Sequence, residues 1–117
     1  LGAIACQAAY EGGQEWLTEC KAYLLENLDY VREFLEEKLP GVKLIEPEGT
    51  YLLWLDFKAL HLNEKELEHL IVDKAHLWLD SGAMFGPDGE GFERINIACP
   101  RATVEKALKQ LEAAIRG

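Results

Sequence analysis

The stretch Thr50 to Phe57, TYLLWLDF, restricts the fold more than any other segment of this 117-residue chain. If extended, it sends Tyr51, Leu53, Leu55 and Phe57 to one face and Leu52 and Trp54 to the other. A strand that is apolar on both sides belongs in the middle of a sheet. The segments around it must therefore supply neighbouring strands and a covering layer.

Those segments are legible. After Gly12-Gly13, the residues Leu17, Cys20, Leu24, Leu28, Val31, Leu35 and Leu39 recur every three or four positions among Glu, Lys and Arg, which predicts a long amphipathic helix. Pro40-Gly41 ends it, because proline cannot extend the hydrogen-bond ladder. Val42 to Glu46 reads as a short strand and Pro47-Glu48-Gly49 as a turn into the central strand. Asn63 with Glu66 three positions later forms a capping-box pattern, and Leu62 can staple to Leu67. A helix is expected from Glu64 to about Ala75, buried through Leu67, Leu70, Ile71 and Ala75. His76 to Asp80 reads as a strand, Ser81 to Gly91 as a glycine-rich loop and Phe92 to Cys99 as a strand stopped by Pro100. Thr103 is the expected cap of a last helix with Val104, Ala107, Leu108, Leu111, Ala114 and Ile115 on one face. The expected fold class is α+β: a small mixed or antiparallel sheet with helices packed on it, behind a long N-terminal helix.

Length and a hydrophobic content of 49% suit one domain, divided into a long-helix region over 1–39 and a sheet with two helices over 40–117. A net charge of −9 opposes binding to nucleic acid or anionic lipid. No apolar run approaches the roughly 20 residues that a membrane span needs. Cys6, Cys20 and Cys99 are odd in number and lack CxxC spacing, which predicts reduced, buried thiols in a cytoplasmic protein. The apolar opening Leu1-Gly2-Ala3-Ile4-Ala5-Cys6 lacks a basic head, and the expectation is a piece of a longer polypeptide whose first residues packed on parts not in this sequence.

The strand GFERINIACPR, Gly91 to Arg101, carries the residue that most needs explaining. Phe92, Arg94, Asn96 and Ala98 share one face, and Ile95 and Ile97 the other. The isoleucines fit a core. Arg94 keeps its charge in any protein environment and needs water or an anion.

Two stretches, PEGTYLLWLD (Pro47 to Asp56) and DSGAMFGPDGEGFERINIACPR (Asp80 to Arg101), resemble the small C-terminal domain of pyridoxal-phosphate enzymes of the class I/II aminotransferase superfamily. Within it they most resemble the branch containing cystathionine beta-lyase, a carbon-sulfur lyase. The resemblance runs over nearly the whole chain, including KLPGVKLIEPEG, and covers roughly the last third of such an enzyme. It implies that Arg94 grips the α-carboxylate of an amino-acid substrate through two parallel hydrogen bonds. It also implies Asn96 as a partner that holds the guanidinium plane. Family members hold pyridoxal phosphate covalently on a lysine of an S-x-x-K-type segment in the large domain. Here Ser81 is the single serine, position 84 is Met, and no lysine has a comparable context. The resemblance therefore implies a domain that is inactive alone. Its expected partners are the missing large domain, an amino-acid substrate and, in the full-length enzyme, a second copy in a homodimer.

Several other patterns take plainer readings. The loop Gly86 to Gly91 leads into a strand rather than a helix N-terminus, so it reads as a hairpin turn, not a phosphate cradle. His69 and His76 around Asp73 read as solvated helix residues, since no HExxH is present, and no metal site is expected. Cys99 reads as a packed thiol. The rival to an enzyme domain is a stand-alone, non-catalytic module that binds a carboxylate or another chain, or a structural domain in which Arg94 pairs internally.

Overall fold

The computed structural model describes all residues, Leu1 to Gly117. Its elements are helices α1 (Gly2–Gly12) and α2 (Gln14–Lys38), strands β1 (Lys43–Ile45) and β2 (Leu52–Asp56), helix α3 (Glu64–Glu68), strands β3 (Asp80–Ser81) and β4 (Phe92–Asn96), and helix α4 (Arg101–Arg116). The sheet runs β1-β2-β4-β3 with every pairing antiparallel. The α+β class holds, and of the two sheet types expected the structure has the antiparallel one.

β2 lies inside the sheet, as its sequence requires. Leu53 and Leu55 point to the helical layer and are fully buried, while Leu52, Trp54 and Asp56 on the other face are half-buried. Helices cover one face only. Val31 and Leu35 of α2, Leu67, Leu70 and Ile71, and Val104, Leu108 and Leu111 of α4 close over Leu53, Leu55, Phe57, Ile95 and Ile97 in one core. Each such large apolar side chain taken out of water stabilises the fold by roughly 1.5–3 kcal/mol.

α3 starts with the expected capping box. Asn63 Oδ1 accepts from the Glu66 N–H and Glu66 Oε2 from the Asn63 N–H, both at 2.9 Å. The helix then widens to a π-helical turn over His69–Lys74, and the Ala75 N–H donates to the Leu70 carbonyl, five residues back. That extra residue per turn keeps Leu70, Ile71 and Ala75 all buried.

Several local expectations are corrected. His76 adopts a left-handed backbone, φ 55°, and the chain joins the sheet only at Asp80–Ser81, so no strand runs from His76 to Asp80. α4 begins at Arg101 after Pro100, whose fixed φ suits a helix entry; Thr103 lies inside the first turn and caps nothing with its side chain. The cysteines are free, but they are not buried: Cys6 is exposed and Cys20 and Cys99 are half-buried. Burial raises the Cys99 thiol pKa, in keeping with a packed side chain. The apolar stripe of α2 is buried only from Asn27 onward, and Leu17 is exposed, because the segments near the first turns of this helix leave them uncovered. α1, not foreseen as a helix, buries no residue and extends the molecule to 49 × 30 × 24 Å.

Candidate functional site

The uncovered face of the sheet carries Arg94. Register places Ile45 beside Trp54, Trp54 beside Arg94, and Arg94 beside Asp80, so one row crosses all four strands. Adjacent rows hold Lys43, Asp56 and Phe92, and Leu52 with Asn96. Side chains of directly opposed strand residues on one face lie within contact range.

Aromatic rings form the floor beside Arg94. Trp54 stacks on Phe92, with centroids 5.1 Å apart and planes 16° from parallel, and meets Phe85 edge-on at 5.9 Å. Phe85 comes from the loop between β3 and β4, a pair of tight 3-10 turns over Gly82–Phe85 and Pro87–Gly89. The loop closes on itself where the Gly82 and Gly89 backbones touch; a Cβ on either would overlap the other's carbonyl oxygen. Its far end is tied to α3 by the Gly91 N–H, which donates to Glu64 Oε1 at 2.6 Å. The sequence reading of this loop as a hairpin connection holds, since β3 and β4 are adjacent and antiparallel.

Arg94 sits where strand alternation put it, with a third of its side chain exposed. Its Nε and Nη2 donate to a single oxygen, Asp80 Oδ2, at 3.1 and 2.8 Å. Its Cζ lies 4.7 Å from the Phe85 ring centroid, a cation-π contact. No side-chain nitrogen or oxygen is buried without a hydrogen-bond partner, so Nη1, which has none in the chain, is not fully buried. The guanidinium is thus held along one edge and open along the other.

Asn96 lies on the same face, one row away and exposed. Its Oδ1 accepts from the Ala98 N–H at 2.8 Å, turning the chain as it leaves β4. The side chains in contact with the Arg94 guanidinium are Asp80 and Phe85. His69 Nδ1 and Asp73 Oδ2 form an exposed pair at 2.7 Å within the helix, and His76 has left that helix.

Sequence reasoning missed three residues. Asp80 and Phe85 reach Arg94 through register and loop closure. Glu93 had a visible signal, since it shares strand parity with Ile95 and Ile97; it is buried on the helical side, 3% exposed. Burial first, then the charges of Glu64, Asp80 and Glu68, raise its carboxyl pKa to about 7. It lines a cavity of about 200 Å³ with Glu68, Ile71, Trp78 and Leu79.

No protein-family model matches the chain. Individual proteins do. It is 40% identical over 111 residues to the cystathionine beta-lyase PatB of Bacillus subtilis, covering 95% of this chain, and 34% identical over 116 residues to MalY of Escherichia coli, covering 99%. Among solved structures, cystalysin from Treponema denticola, which contains a pyridoxal 5'-phosphate cofactor, superimposes with a TM-score of 0.94 at 37% identity over 98% of this chain. The chain belongs to the cystathionine beta-lyase branch of the class I/II aminotransferase superfamily. It spans only 29–30% of the length of these relatives, a share consistent with their C-terminal domain.

The two largest cavities described lie away from the candidate face. One of about 500 Å³ runs between Leu17, Leu24 and Leu28 of α2 and Tyr51, and one of about 480 Å³ lies beside Arg32 and Val42. Neither is lined by Arg94. The row across the sheet is a wall, and a wall becomes a cleft only when something stands opposite it. No helix of the chain is long and apolar enough to cross a membrane.

Proposed function

We propose that this chain is the substrate-docking domain of a pyridoxal-phosphate-dependent carbon-sulfur beta-lyase or aminotransferase, and that Arg94 binds the α-carboxylate of the amino-acid substrate. The observation that carries the reading is the Arg94 guanidinium: permanently charged, on the one uncovered sheet face, with an unpaired outer edge. Two parallel N–H groups match a carboxylate in distance and plane, and fix its orientation as well as its charge. Asn96, in the neighbouring row, lines the same wall and sets the path of the chain beyond it.

The residues present fit the substrate side of such a site and not the cofactor's anchor. All eight lysines are exposed; Lys58, beside the aromatic floor, lays its Nζ 4.2 Å above the Phe92 ring. The glycine-rich loop feeds β4 rather than a helix N-terminus and forms no phosphate cradle. Pyridoxal phosphate, held by the rest of the enzyme, would act as the electron sink that stabilises the substrate carbanion. This chain's part is to hold the carboxylate so that the bond to be broken stands correctly against the cofactor. The chain alone is accordingly inactive, and the working form is a homodimer in the cytoplasm.

The test is Arg94→Lys in the full-length enzyme. An ammonium cannot reproduce the two-pronged contact, so kcat/KM for the amino acid should fall about 10- to 100-fold while cofactor absorbance is unchanged. The Asp80 contact favours a second reading, a strand arginine used only for internal pairing. Unchanged kcat/KM in Arg94→Lys would select that one.

A further inference from the structure

Arg94 has a long, flexible stem, and a fork that wanders binds weakly because its ordering must be met at the moment of binding. We propose that Asp80 and Phe85 are positioning residues that hold the Arg94 guanidinium with its Nη1–Nη2 edge presented to a ligand carboxylate. The inference rests on the docking role proposed above and adds which side chains make it work.

The hydrogen-bond pattern carries the argument. An aspartate that competed for the fork would set its two oxygens against two nitrogens of the terminal edge. Asp80 instead puts one oxygen, Oδ2, against the inner edge, taking Nε and Nη2 together at 3.1 and 2.8 Å. That contact uses two of the five N–H groups and leaves the whole terminal edge available. Nη1 has no partner in the chain and is not buried, so the available edge is also reachable.

A second constraint comes from a ring. Phe85 lies under the guanidinium, its centroid 4.7 Å from Cζ, and restricts the space through which the arginine head can move. Phe85 is itself braced by Trp54, the cross-strand neighbour of Arg94. Asp80 is fixed by its backbone pairing with Arg94 between β3 and β4. Both restraints therefore come from elements already registered on the arginine's own strand.

The experiment uses the full-length holoenzyme and two small probes, propionate and its neutral isostere propionamide, as competitive inhibitors of amino-acid turnover. Asp80→Ala should weaken propionate inhibition about three- to tenfold, raise KM by a similar factor with a smaller change in kcat, and leave propionamide unaffected. Asp80→Asn keeps an acceptor oxygen at the same place and should recover most of that loss. Phe85→Leu should weaken propionate in the same direction. If Asp80→Ala binds propionate more tightly, Asp80 is a competitor and the inference is wrong; unchanged binding also overturns it, and so does equal weakening of both probes, which marks a general structural loss. Arg94→Lys in the same assay separates the two levels. If it leaves propionate binding unchanged, the docking reading fails, whereas weakening there with no effect of Asp80→Ala removes only the positioning role.

Discussion

Arg101 donates its Nε–H to Asn27 Oδ1 at 3.0 Å, joining residues 74 positions apart. Asn27 is fully buried in α2, and its Nδ2 donates to the carbonyls of Ile97 and Cys99 at 2.9 and 3.0 Å. The amide thereby satisfies the backbone just where β4 has ended and α4 has not begun. Arg101 continues outward to Glu26 Oε2, its backbone N–H donates to the Tyr23 hydroxyl, and its guanidinium lies 4.8 Å above the Tyr23 ring. This node fixes how the strand bearing Arg94 meets the long helix.

Replacing Asn27 by Leu strands the buried Ile97 carbonyl and removes a partner from the part-buried Cys99 carbonyl and Arg101 N–H, and should cost about 2–4 kcal/mol. Asn27→Asp is the sharper variant, since it keeps the acceptor for Arg101 but turns the donor to both carbonyls into a second acceptor. Urea unfolding should show both well below the parent. Parental stability in the Asp variant would mean that the two carbonyl bonds contribute little.

Glu93 gives the protein a pH dependence opposite in sign to that of a salt-bridged carboxylate. Its pKa is about 7 folded against an ordinary 4.5. Below pH 4.5 both states hold the proton and nothing is lost. Between 4.5 and 7 the unfolded chain releases it while the folded chain retains it, so stability falls as pH rises, and the loss is complete above about 7. The total is of the order of 3 kcal/mol. Glu93→Gln removes the titration, and the variant should gain on the parent steadily across that window in denaturation series from pH 4 to 8. Parallel stability curves would show that Glu93 ionises normally in the fold.

What was legible in the sequence was what is local. Alternation in TYLLWLDF put β2 inside the sheet, the Asn63 and Glu66 spacing located the start of α3, and strand parity put Arg94 on the face away from the isoleucines. What failed depended on residues far along the chain. Asp80 reaches Arg94 only through the β3–β4 register, Asn27 lies within a helix stripe that periodicity reads as apolar, and Phe85 is aimed by a loop closing on itself. The leading half of α2 misled for another reason: its stripe at Leu17, Cys20 and Leu24 has helical periodicity, but periodicity says which face is apolar, not whether this chain covers it.

Gly82→Ala tests the loop that presents Phe85. The Gly82 and Gly89 backbones are in contact and both residues are buried, so a methyl group has no rotamer by which to escape and the crossing must open. Overpacking of this kind costs about 1–3 kcal/mol. Because Phe85 lies three residues on, the same change should weaken carboxylate binding in the full-length enzyme more than Met84→Ala does, Met84 being exposed on that loop. Equal effects of the two would separate loop closure from the site.

Pyridoxal phosphate condenses with any accessible amine, so the exposed lysines of this chain will all react a little. A true anchor differs in degree: its amine is activated by desolvation or a neighbouring cation, and ring and phosphate contacts hold the adduct. Lys43 lies on the candidate face and Lys58 beside it, yet both are exposed, Lys58 rests over Phe92, and the nearby glycine-rich loop opens no helix. Mixing the 117-residue chain with one equivalent of pyridoxal phosphate, reducing with borohydride and mapping the peptides should therefore give scattered, substoichiometric labels. One lysine labelled to completion at that ratio would show that the chain anchors the cofactor itself, and the division of labour between this domain and the rest of the enzyme would have to be redrawn.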